Sequence, residues 1–284
     1  MTASVSLPDA PSAVAGRVIF SANGTVFTVA DLVRRASAGG REARSGDRSP
    51  AQVEEAFRRS RGLLRGEQLQ AWLDDWHVAA SDFVSWTKDV ASGGSAASDW
   101  CTVLCSGELD AITATMASAA AAACELGSGP TDAATFVPDT WTEQLVALGT
   151  TPEALAAAIE THRLEWTSLQ TISVATPSRG VAEELRHQVL SDGADLTAAA
   201  GSANCPVREA TELLSVIVPD LRSALAGSRA GELVGPVRQA DHWILISVVK
   251  RMVPELSDPD SRSRAQAAVR TELIARALAR HVVA

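Results

Sequence analysis

The sequence predicts an α+β fold, and three observations carry that prediction. Asn23-Gly24 lies between two runs rich in β-branched and aromatic residues, which is a hairpin signal because both turn residues must tolerate positive φ. From Pro50 the apolar residues Val53, Phe57, Leu63, Leu64, Leu69, Trp72, Leu73 and Trp76 recur at three- and four-residue steps, the stripe of amphipathic helix. Near the other end, Trp243-Ile-Leu-Ile-Ser-Val-Val is a β-branched run of strand length.

Taken in order, residues 1–16 carry Pro, Ser and Ala without periodicity and are expected to form a flexible arm. After the hairpin, Thr28 is placed to cap a helix, with Asp31 standing where a capping box usually has Glu. Gly39–Ser49 reads as a Gly, Arg and Ser loop. Ser81 starts a further helix and Ala91–Ser98 breaks it. An alanine-rich helix is expected over Leu104–Leu126, a Pro-containing loop over Gly127–Pro138, and helices at Trp141–Leu148 and Pro152–Thr161. At about Leu164 the character changes. Leu169–Ala175 reads as a strand and Ser178–Asp192 as an amphipathic helix ended by Gly193. A shorter helix, another over Glu212–Leu225, the Trp243 strand and a basic terminal helix over Asp258–His281 complete the chain. The expected division is a 1–16 arm, a 17–163 helical domain, a 164–255 strand-containing domain, and a 256–284 helix packed on the N-terminal domain.

Composition narrows the function. A formal charge of −9 argues against general nucleic-acid binding, which needs clustered Lys and Arg to neutralise phosphate. No window approaches 18 apolar residues free of charge or Gly, so no membrane span is expected. Met1–Ala15 lacks a basic start and a continuous apolar run, which predicts no secretory signal and a cytoplasmic location. Cys101, Cys105, Cys124 and Cys205 are then expected as reduced thiols. Alanine buries little area, so the seven Trp must supply much of the core or of a binding surface.

The second half resembles a known family. Ala182–Asp195, Val218-Pro-Asp-Leu with Leu225, Gly231-Glu-Leu-Val-Gly-Pro-Val and Trp243-Ile-Leu-Ile-Ser-Val are similar to successive segments of the parvulin (PpiC-type) peptidyl-prolyl isomerases. The opening VIFSANGTVFTVADL is similar to the start of SurA-like chaperones, where such a hairpin feeds a helical peptide-binding domain. The resemblance implies a small antiparallel sheet wrapped by helices. It also implies two central histidines on neighbouring strands beside a Cys or Asp. Here Thr171 stands for the first histidine and Trp243 for the last, while His242 is one residue off and so on the opposite strand face. Cys205 matches the family's cysteine, and the family's Gly-rich loop is missing after it. Ile217 and Leu221 match its apolar pocket, with Leu225 beyond them.

The implied protein is a non-catalytic, rotamase-like peptide binder or chaperone without metal or cofactor. Thr171, Ile217, Leu221, Leu225 and Trp243 are its expected peptide contacts. Its expected partners are an unfolded or precursor polypeptide and a homologous or modifying protein in peptide maturation. The alternatives are an active isomerase centred on His242 and Cys205, and an enzyme acting on a peptide through Cys105 or Cys205. Cys101-x-x-x-Cys105 with Cys124 lacks the paired spacing of a zinc site, so buried helical thiols are expected. Asp74, Asp75 and His77 read as a solvated helix face. Trp72, Trp76 and Phe83 fit either core or peptide groove.

Overall fold

The structure, a computed structural model, describes residues 11–35, 48–93, 100–138 and 140–284. Residues 1–10 of the expected arm and most of the expected Gly39–Ser49 and Ala91–Ser98 breaks lie outside the described residues. The chain divides into two units, Met1–Gly149 with Thr271–Ala284, and Thr150–Arg270.

In the first unit, α1 (Ser12–Ala15) buries Val14 and leads to β1 (Val18–Ala22) and β2 (Thr25–Thr28). The hairpin turns on Asn23 and Gly24, both at positive φ (50° and 80°), as its Asn-Gly sequence requires. Phe20 and Phe27 stack across it with centroids 4.5 Å apart. In α2 (Val29–Arg35) the Asp31 carboxylate accepts from the Thr28 N–H at 3.0 Å and from its hydroxyl at 2.6 Å, so the capping box forms with Asp. Helices α3 (Pro50–Ser60), α4 (Gly66–Asp75) and α5 (Ala80–Ala91) meet around Phe57, whose ring lies 5.2, 5.3 and 5.7 Å from Trp72, Phe83 and Trp86. These aromatics are therefore core. Arg17 covers Trp76 at 4.2 Å and also pairs with Asp75, so the Asp74–His77 end of α4 is not simply solvated.

The expected Leu104–Leu126 helix is two helices, α6 (Trp100–Cys105) and α7 (Glu108–Glu125). Gly107 separates them at φ 81°, a value an L side chain resists. The alanines of α7 let α8 (Trp141–Gly149) approach closely, with Ala121, Ala122, Leu145 and Ala277 in one buried cluster. The final strand Val282–Val283 pairs antiparallel with β1 and completes a three-stranded sheet.

The second unit runs α9 (Pro152–Thr161), α10 (Arg163–Trp166), β3 (Ser168–Thr176), α11 (Arg179–Ser191), α12 (Leu196–Ser202), β4 (Val207–Leu213), α13 (Pro219–Leu225), β5 (Leu233–Gln239) and β6 (His242–Met252). Then α14 (Pro259–His281) passes into the first unit at Thr271, followed by β7 (Val282–Val283). The antiparallel sheet has the order β4-β3-β6-β5. Two strands escape the sequence reading. Glu212–Leu225 is not one helix, because Glu212 ends an edge strand and Pro219 opens α13 at its first position, where the missing N–H costs nothing. In β5, Gly235 sits at φ 107°, and a Cβ there would lie 2.5 Å from the Ile244 carbonyl, so only glycine fits this bulge. The molecule is thus α+β, with a helical unit opening on a hairpin and a small antiparallel sheet wrapped by helices.

Candidate functional site

Helices cover both faces of the four-stranded sheet, and strand register decides which candidates share a face. Residues opposite one another in neighbouring strands lie on one side, and successive residues alternate. Thr171 stands opposite Val248, Ser173 opposite Ile246 and Ala175 opposite Ile244. Those three β6 residues pack with Leu169, Leu214, Leu221, Leu225 and Ile217. So Thr171, Ser173 and Ala175 lie on the α13 face. Ile172, Val174, Leu245 and Trp243 instead pack with Ala182, Leu185 and Leu196 of the α11–α12 face.

Thr171 and Trp243, the two positions matched to histidines, are therefore not brought together. They lie on opposite faces and five ladder positions apart, about 17 Å along the strands. His242 shares the face of Thr171, but six positions away, about 20 Å, where it is exposed at the β5–β6 turn. Cys205 packs against the opposite face, its Sγ 3.7 Å from the Ala203 carbonyl. His242 and Cys205 thus do not meet in one centre. Cys105 closes α6, is buried, and lies 3.7 Å from the Cys101 sulfur. Cys124 is elsewhere, its thiol pushed up by burial. Among the described residues no group of three His, Cys, Asp or Glu could hold a metal ion. No helix among them is long and apolar enough to cross a membrane.

What the α13 face does assemble is apolar. Leu225 and Leu221 are 1% and 8% exposed, so they form a floor from beneath and offer no contact surface. Ile217 is half-buried, and its neighbours Val216 and Val218 are 71% and 42% exposed. Arg222 fixes this turn: its Nε and one amino group donate to the Ile217 carbonyl at 3.1 and 2.8 Å, and that amino group donates to the Ser215 carbonyl at 2.7 Å. Arg251 similarly donates to the carbonyls of Ala226 and Ser228 at 3.0 and 3.1 Å and anchors the end of α13. The same sheet face carries half-buried Thr171, Ser173, Ala175, Ile244 and Val237. On the central strands β3 and β6 this face carries no ionisable group between Arg251, opposite Leu169 near the α13 end, and His242 at the other rim. Charges appear on the edge strand β4, where Arg208 and Glu212 pair at 2.6 Å.

Sequence reasoning missed Val216, Val218, Ser173, Ala175 and Ile244. The apolar residues next to Pro219 were visible as a signal, whereas face sharing in β3 and β6 needs the register. Chemically the arrangement can hold an apolar segment and offer it hydroxyls, but it presents no paired nucleophile and base.

No protein-family model matches the chain, and no curated protein matches it. Among solved structures, the chain is similar to the foldase protein PrsA from Streptococcus pneumoniae, with 11% identity over 81% of this chain and 75% of that one, at a TM-score of 0.29.

Proposed function

We propose that this protein is a non-catalytic, rotamase-like peptide binder whose α13 sheet face holds an apolar segment of an unfolded or precursor polypeptide. The observation that carries the reading is the pinned turn Ser215–Val218, which exposes valines on a sheet face whose central strands carry only apolar and hydroxyl side chains between Arg251 and His242. Exposed apolar side chains held rigidly cost little entropy on binding and suit an apolar client. The same face lacks the acid–base pair that would tune an amide, and the resemblance of the strand motifs to parvulins is compatible with grip retained without rotation. Presentation of the client to a modifying partner is the finer form of this proposal.

The test is fluorescence anisotropy with a labelled, Leu- and Phe-containing peptide, run beside a prolyl isomerisation assay. Wild-type protein is expected to bind and to leave the uncatalysed isomerisation rate, tens of seconds or slower, unaltered. Ile217→Asp should weaken binding by about tenfold or more, because an apolar contact becomes a desolvated charge. No binding tighter than about 1 mM, or an unchanged affinity in Ile217→Asp, would sink the reading.

A further inference from the structure

The opposite face of the sheet carries a second feature, which does not depend on the α13 face binding anything. Between α11 and the start of β6 lies a groove of about 510 Å³ lined by Arg179, Glu183, Arg186, His187, Pro236 and Trp243, with Leu190 and Ser191 at one end. Positions 179, 183, 186 and 190 recur at three- and four-residue steps, so one stripe of α11 forms the wall. Ala182 and Leu185 on the adjoining stripe are buried and hold the helix against the sheet.

The charges in this groove are unbalanced. Arg179 gives its Nε to Glu183 at 2.8 Å and lies 5.3 Å from the Trp243 ring. Its two terminal amino groups make no bond among the described residues. Arg186, one turn beyond Glu183 and two beyond Arg179, makes no hydrogen bond or ion pair among them either. The wall's single carboxylate is thus already engaged, and a second guanidinium is left over. This happens in a chain whose formal charge is −9. Trp243 and Pro236 supply an apolar wall opposite the cations.

We infer that this groove binds an acidic peptide segment in which Asp or Glu flanks an aromatic residue. The carboxylates would lie between Arg179 and Arg186, where a guanidinium fork donates to both oxygens, and the aromatic ring would lie against Trp243 and Pro236. Charge complementarity selects this occupant over a purely apolar one, because the latter would leave Arg186 desolvated without a partner.

The experiment uses the full chain and two fluorescein-labelled decapeptides, one carrying Asp-Phe-Asp within Gly and Ser and one carrying Asn-Phe-Asn. The acidic peptide is expected to bind about tenfold more tightly, and to weaken as salt rises. Arg186→Glu should abolish that preference. This exposed side chain has no partner to lose, so the fold is kept. Lys250→Glu, an exposed cation elsewhere on β6, should leave binding unaltered. Equal affinity for the two peptides, or an Arg186→Glu variant that still prefers the acidic one, overturns the inference. Displacement of the peptide by inorganic polyphosphate at equal charge concentration also overturns it, since the groove would then be a general anion patch.

Discussion

Glu125, the last residue of α7, gathers two side chains from the end of α14. Its carboxylate accepts from His281 Nε2 at 2.8 Å and from Arg280 at 2.7 Å. The hydrogen bond from His281 is the main cause that holds this carboxyl below its usual 4.5, with the charges of Arg280 and His281 adding to it. A depressed carboxyl stabilises the fold above its unfolded value, and the contribution disappears as pH falls through the lower, folded value. The group is a quarter exposed, so solvent screening keeps the effect modest. Glu125→Gln should therefore lower the melting temperature at neutral pH and make its acid limb shallower than in wild type. Parallel acid limbs in a thermal-melt series from neutral pH to pH 3 would show that the cluster carries no linked stability.

At the scale of elements, the short helix α12 depends on the residue that caps it. Asp195 Oδ1 accepts from the N–H groups of Thr197 and Ala198 at 2.9 and 3.1 Å, and the helix then buries Leu196, Ala199 and Ala200. Asp195→Ala should cost about 1 kcal/mol in urea unfolding, and Asp195→Asn should restore most of it. Strong local chemistry of this kind was legible in the sequence: the Asn23-Gly24 turn, the Thr28–Asp31 box and the Gly193 stop each name their own geometry. The edge strand β4 was not legible, because VREATEL alternates charges that an outer strand tolerates and a helix face would carry equally well. In β5, the Gly235 bulge was not legible either, because the need for glycine comes from the Ile244 carbonyl of the neighbouring strand. For the site, Ile217 and Leu221 were named only through their match to the parvulin pocket, and the structure leaves Leu221 buried beneath the face. The separation of Trp243 from Thr171 was not legible, since period-two patterning says which residues of one strand share a face and nothing about the neighbour's offset.

At the scale of the molecule, the first unit is built from both ends of the numbering. Ala277 is 1% exposed and shares a cluster with Ala121, Ala122 and Leu145, while Leu273 touches the space where Gly149 has no side chain. Ala277→Asp would bury a carboxylate with no cation in that cluster, a change on the order of several kcal/mol. The tryptophans report where the damage falls. Trp72, Trp76, Trp86, Trp100 and Trp141 belong to this unit, and Trp166 and Trp243 to the other. The expected result is an intrinsic-fluorescence transition moved to lower denaturant, with a later helix-loss transition remaining from Thr150–Arg270. A single unmoved transition would mean that the α14 end contributes little to the first unit.

The pairing of Val282–Val283 with Ser21–Ala22 also sets an order of events during synthesis. The hairpin can close on its local turn as soon as it is made, yet its third strand is translated more than two hundred residues later. Through most of that interval β1 exposes one row of unpaired backbone donors and acceptors, the kind of edge that recruits other strands. Thr150–Arg270 is translated within that interval and can fold on its own contacts. The first unit is begun before Thr150–Arg270 and completed only after it.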